Sequence, residues 1–157
     1  MLTVMKFGGS SVADLEHIRN VANRCIAKQR EGSQVVVVLS AMGKTTDNLI
    51  ATAKQITEQP SRRELDMLLT TGEQVSVSLM AMTLISMGVS AVSLNAWQVP
   101  MHTTSNYQNA RFKRSAGLEV CSTRNVVAAA LPILILRAGS RMRKPPGICS
   151  TTWQARA

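Results

Sequence analysis

The sequence predicts an α/β fold with a mainly parallel sheet, and three observations carry the prediction. First, Leu2–Met5 and Val35–Leu39 are apolar runs of strand length. The second is unbroken and largely β-branched, as in a strand buried on both faces. Second, between them Val12, Leu15, Ile18, Val21, Ala22 and Cys25 recur every three or four residues, one face of an amphipathic helix. Strand, helix and strand make a βαβ unit with a right-handed crossover. Third, each strand run leads into a small polar segment, at the carboxyl end where open α/β sheets bind ligands.

The elements follow in order. The first strand ends in Lys6-Phe7-Gly8-Gly9-Ser10-Ser11, and a helix begins at once. Glycine lets the backbone turn sharply and lets a ligand approach its N–H groups. Ser10 or Ser11 is expected to cap the helix, with Asp14 three residues after Ser11 in a capping-box-like spacing. A helix start attracts anions, and Lys6 adds a full positive charge there. Strand, glycine turn and capped helix thus suit a phosphate cradle. A plain turn with a solvated lysine fits the same residues, and this short motif alone leaves both readings open.

Glu31-Gly32-Ser33 ends the helix, and the second strand leads into Ser40-Ala41-Met42-Gly43-Lys44-Thr45-Thr46-Asp47. Gly43-Lys44-Thr45 matches the end of a P-loop, but Val38 stands where that motif needs its first glycine. Ser40, Thr45 and Thr46 offer hydroxyls to a ligand; periodicity favours Thr45 or Thr46 as a helix cap. A helix is expected over 47–58, ended by Gln59-Pro60-Ser61. Helical pattern resumes at Arg62 and leads to Thr70-Thr71-Gly72-Glu73-Gln74, after which Val75, Leu79, Met82 and Leu84 read as a largely buried helix. Glu73 follows a glycine at the expected start of that helix. Such an acid either satisfies the helix dipole or, facing a cleft, holds an ammonium group. A third strand is expected over 91–94, and Met101 to Asn109 reads as a polar loop.

Composition sets the bounds. The 157 residues are enough for a domain with a real core. Cys25, Cys121 and Cys149 show no CxxC spacing, which argues against zinc and disulfides and suits a reducing cytosol. His17 and His102 have no ligand-spaced partner, so no protein-held metal is expected. No signal peptide is read at the start, and the longest apolar run, 126–136, is too short to span a bilayer. The net charge of +9 is uneven. Residues 1–110 hold nine basic and eight acidic side chains, whereas 111–157 hold nine basic residues and the single acid Glu119. Two kinds of sequence meet near residue 111.

Three segments together resemble the aspartokinases of the amino-acid kinase family: Lys6–Val12, Val36–Asp47 and Asp66–Gln74, with Asn109-Ala110-Arg111 also fitting. The resemblance covers about residues 1–112 and implies an αβα sandwich around a mainly parallel sheet, here truncated. It implies phosphoryl transfer from ATP, with Mg2+, to the side-chain carboxylate of L-aspartate, giving 4-phospho-L-aspartate on the route to lysine, threonine and methionine. By position, Lys6 would be catalytic and steady the transferring phosphoryl group. Lys6, Phe7, Gly8, Gly9, Ser10 and Ser40 would bind ATP. Thr46 and Glu73 would bind aspartate, Glu73 through its α-ammonium. The family implies a cytoplasmic enzyme with no membrane association that is a homo-oligomer when intact.

After Arg111 the family's Gly-Phe-Gln-Gly turn and Gly-Arg-Gly-Gly-Ser-Asp-Thr-Thr motif are not found. The expectation is therefore a kinase-domain part at 1–112 and a basic, divergent tail at 113–157, from a shifted reading frame or disordered, with weak or no turnover. Two alternatives stand beside it. One is another amino-acid kinase acting on glutamate or a nucleotide. The other is a basic nucleic-acid-binding fragment, against which the tail's few aromatics and lack of periodicity argue.

Overall fold

The computed structural model describes residues 2–96, 98, 101–115 and 133–137. Strand β1 (Leu2–Phe7) pairs in parallel with β2 (Gln34–Leu39), from Leu2 opposite Gln34 to Phe7 opposite Leu39. Helix α1 (Leu15–Arg30) makes the crossover between them. Helices α2 (Thr45–Ile56) and α3 (Arg62–Ser86) follow, then β3 (Ser90–Leu94). β4 (Met101–Thr103) and β5 (Phe112–Ser115) form a separate antiparallel pair. The expected polar loop over 101–109 therefore begins as a strand: a hairpin closes there, with the Thr104 N–H donating to the Arg111 carbonyl at 2.9 Å.

The four-stranded sheet has the order β1-β2-β6-β3, where β6 is Ile133–Arg137. β1, β2 and β3 run the same way, and β6 lies antiparallel between β2 and β3. A strand from the region after residue 112 thus occupies the sheet centre.

Side chains alternate across a strand, and this divides the sheet into two faces. Phe7, Val35, Val37, Leu39 and Ala91 face α1 and α3, where they meet Ile18, Val21, Ala22, Cys25, Val77, Met80 and Leu84 in one buried cluster. Val36 and Val38 point the other way and are buried as well. The uninterrupted valine run is explained by this burial on both faces. Cys25 lies inside the cluster, and burial pushes its thiol up to about 12.

Local signals set the helix ends differently from the sequence expectation. Residues Gly9–Val12 form a 3-10 turn, and the cap of α1 is Asp14, whose carboxylate accepts from the His17 N–H at 2.9 Å. Neither Ser10 nor Ser11 caps the helix. Asp14 wins because its oxygen reaches the third N–H of the helix that starts immediately after it. α2 starts two residues earlier than expected, with Thr45 and Thr46 inside its first turn and Lys44 at the cap position.

The largest difference is in α3. It runs unbroken for 25 residues, with Gly72 and Glu73 in its interior. By length and composition it is long and apolar enough to cross a bilayer. Its buried face, which includes Gly72, Ser76, Val77, Met80, Ala81 and Leu84, is committed to this fold. Packing density makes core truncations costly. Ile18→Ala, at a fully buried position, is expected to lose about 2–5 kcal/mol in urea denaturation. Leu15→Ala, 57% exposed on the same helix, is expected to stay within about 0.5 kcal/mol of the parent.

Candidate functional site

The site lies where the carboxyl ends of β1 and β2 meet the first half of α3. Main-chain bonds join the two strand-end segments. The Ser40 N–H donates to the Phe7 carbonyl at 3.2 Å, and the Gly43 N–H donates to the Gly9 carbonyl at 3.0 Å. Gly43 sits at φ +48, a conformation open to glycine at little cost. Gly9 is required by close approach: a Cβ there would stand 2.7 Å from the Ala41 carbonyl oxygen.

α3 is drawn against the same loop. A Cβ on Gly72 would meet the Ala41 Cβ at 2.9 Å and the Thr45 methyl at 3.3 Å. The glycine that the sequence reading placed before a helix instead opens a notch within one. One turn later, the buried Ser76 hydroxyl lies 2.9 Å from the Ser40 carbonyl oxygen. The segments carrying Lys6, Thr46 and Glu73 therefore converge, although the three residues are far apart in sequence.

Each residue singled out in the sequence has a definite setting. Lys6 is exposed near the end of β1, on the opposite sheet face from Phe7. Phe7 is 9% exposed and belongs to the core. Gly8 and Ser10 are exposed in the turn, and Gly9 is half-buried against the second loop. Ser40 and Thr46 are half-buried. Ser10 also borders a separate cleft on the α1 flank, lined by Phe7, Ser11, His17, Asn20, Val21 and Arg24. That cleft does not include Lys6, Ser40, Thr46 or Glu73, so it lies beside the convergence and not at it.

Glu73 is the most informative side chain. Burial raises its pKa above the ordinary 4.5, opposed by hydrogen bonding from its own N–H and from the Ala41 N–H. It is mid-helix, so the reading as a helix-start acid falls: the dipole's positive end lies about three turns away. Among the described residues no lysine, arginine or histidine pairs with it. A partly desolvated carboxylate without a cation partner favours a cationic ligand group. The described residues contain no cluster of three or more His, Cys, Asp or Glu able to hold a metal ion.

Sequence reasoning missed Gly72 and Ser76 as parts of the site. Their four-residue spacing, which puts two small residues on one helix face, was the available signal.

The sequence profile described as "Amino acid kinase family" matches residues 1–131. The chain belongs to the amino acid kinase family. It is 56% identical over 110 residues to Aspartokinase 2 of Bacillus subtilis (strain 168), a match covering 70% of this chain and 27% of that protein. Against the aspartokinase of Mycobacterium tuberculosis (strain CDC 1551 / Oshkosh), identity is 51% over 110 residues, covering 70% and 26%. Among solved structures, aspartate kinase from Synechocystis superposes with a TM-score of 0.68 at 44% identity, covering 76% of this chain and 20% of that one. The chain spans about a quarter of the length of the curated relatives it matches. In this family member the glycine turn, the 40–46 loop and the Gly72–Ser76 turn of α3 form one packed unit.

The close contacts give a sharp test. Alanine at Gly72 would gain about 1 kcal/mol in helix propensity. The rigid Ala41 methyl cannot rotate away, so overpacking of about 1–3 kcal/mol opposes that gain. Gly72→Ala is expected to be destabilised in urea melts despite its better helix former. Gly8→Ala, where a Cβ meets nothing within 4 Å, is expected to be near neutral.

Glu73 gives a second. Its raised pKa means that the folded chain holds this proton more tightly than the unfolded chain. The stability contributed is therefore complete below pH 4.5 and lost as pH rises through the native value. Glu73→Gln is expected to raise the melting temperature at pH 7 and to remove that part of the pH dependence.

Proposed function

We propose that the convergence of β1, β2 and α3 is the aspartate-binding part of an aspartate kinase site, serving transfer of a phosphoryl group from ATP to the side-chain carboxylate of L-aspartate. The single observation that carries this reading is Glu73, a half-buried carboxylate with no cationic partner among the described residues, next to two strand ends. The α-ammonium of an amino acid supplies the missing charge. Thr46, half-buried in the first turn of α2, offers a hydroxyl on the neighbouring loop.

Phosphoryl transfer asks mainly that two anions be held in line while fixed positive groups absorb developing charge. Lys6 is assigned that charge, at the mouth of the glycine turn. The Gly8–Ser10 main chain and the Ser10 hydroxyl are assigned to the phosphates, with Phe7 contributing through its backbone and Ser40 placed beside it, its N–H bonded to the Phe7 carbonyl. The exposure of Gly8 and Ser10 supports this, because their polar groups are open to a ligand. ATP would carry Mg2+ on its phosphates and supply the group transferred. The relatives described above are aspartokinases and an aspartate kinase, which favours aspartate over glutamate or a nucleotide.

The reading assigns these roles to residues 1–112 and treats 113–157 as a basic, divergent segment that carries strand β6 but none of the site residues. Turnover, followed as aspartyl hydroxamate with ATP, is expected at or near background. Binding of L-aspartate is the decisive measurement. Isothermal titration should show L-aspartate binding to the parent chain and a loss of tenfold or more in Glu73→Gln, with D-aspartate and L-glutamate weaker. Equal affinity in the parent and Glu73→Gln would refute the assignment.

A further inference from the structure

One serine on α3 touches the site's backbone without facing a ligand. Ser76 is fully buried, and its hydroxyl has one proton and three carbonyl oxygens in reach: Ser40 at 2.9 Å, Gly72 at 3.1 Å and Glu73 at 3.2 Å. Helical serines commonly bond back to the carbonyl four residues earlier. Here Gly72 and Glu73 lie inside an unbroken helix, whose own N–H groups already serve those two carbonyls. Ser40 stands just past the end of β2, and Ser76 is the donor to its carbonyl among the described residues. The shortest contact thus goes to the carbonyl in greatest need, since a part-buried C=O left unpaired is costly.

The peptide joining Ser40 to Ala41 is planar, so its carbonyl and its N–H point in opposite directions and turn together. The carbonyl is held by Ser76. The N–H faces the carboxylate of Glu73, three residues earlier on the same helix face. On its other side, the Ser40 N–H is tied to the Phe7 carbonyl. One turn of α3 therefore grips a single peptide plane at both ends.

We propose that Ser76 is a positioning residue that, through the Ser40–Ala41 peptide, fixes the Glu73 carboxylate in the orientation that receives an ammonium group. The proposal rests on the reading of Glu73 as the substrate's ammonium partner. Ser76 itself touches no substrate. Its effect runs through a rigid plane, so loss of the hydroxyl frees the Ala41 N–H and lets the carboxylate take other rotamers. Gly72 makes the arrangement possible, because a side chain there would push α3 off Ala41 and out of hydrogen-bond reach.

The test uses the full chain with Ser76→Ala, Ser76→Thr and, as a control, Ser86→Ala. Ser86 is exposed at the far end of α3, and its hydroxyl bonds to the Thr83 carbonyl at 2.7 Å. Two quantities are read: hydrogen exchange at the Ala41 amide, and L-aspartate affinity by titration. Ser76→Ala should accelerate Ala41 exchange at least tenfold and weaken L-aspartate about fivefold, the scale of one neutral hydrogen bond. Ser76→Thr should restore both, and Ser86→Ala should change neither. If Ser76→Ala does not fold, Ser76→Cys, similar in size with a weak donor, takes its place. Parent-like Ala41 exchange in the Ser76 variant overturns the proposal, and so does faster exchange with unchanged aspartate affinity. A parent chain that binds no aspartate sinks the functional reading instead, and Ala41 exchange then decides alone whether Ser76 orders the peptide.

Discussion

Ala41 is held between two glycines, and most of the site's architecture descends from that close packing. Its carbonyl oxygen leaves no room for a Cβ at Gly9, and its methyl leaves none at Gly72. The first contact presses the end of β1 against the loop after β2. The second presses that loop against α3. Both contacts involve backbone or a rigid methyl, so neither can be relieved by a rotamer change. Three segments, each unremarkable alone, become one surface because two positions lack side chains.

That constraint explains the polar chemistry around it. Close approach excludes water from the 40–41 peptide, and its buried polar atoms then require protein partners. Ser76 supplies one, and the Phe7 carbonyl accepts the neighbouring N–H. Burial raises the pKa of Glu73, and the Ala41 N–H opposes that rise. Among the described residues no cation pairs with this carboxylate.

The scaffold that holds these segments is simple. A βαβ unit sets β1 and β2 side by side in parallel, so both carboxyl ends emerge at one edge. The cluster of Ile18, Leu39, Met80 and Leu84 fixes α1 and α3 on the same face. β6 adds an antiparallel strand between β2 and β3, which keeps β3 in the sheet although β2 and β3 do not touch as partners. Family membership and this architecture agree, and the site sits on the part of the chain that aligns with the aspartokinases.

Much of this was legible in the linear sequence, for reasons that are local. Periodicity marked α1, and the unbroken valines marked β2, because side-chain spacing and burial act directly on residue type. Three short motifs carried the family resemblance: two lie where β1 and β2 end in turns, and the third lies inside α3, where Gly72 packs against the second of those turns. Other features were not legible. Gly72 looked like a helix boundary, because its intrinsic preference opposes helix; only the 2.9 Å approach to Ala41 shows why the helix runs through it. Asp14 took the capping role expected of a serine, because the preceding residues had turned into a 3-10 segment. The hairpin of β4 and β5, and the place of β6 in the sheet, depend on pairing between distant strands, which no local pattern encodes. The sequence by itself determined which residue types were available to the site and the local character of β1, α1 and β2. The tertiary structure alone decided that Glu73 and Ser76 meet the Ser40–Ala41 peptide plane, because contact across long chain separations is set by packing and not by spacing.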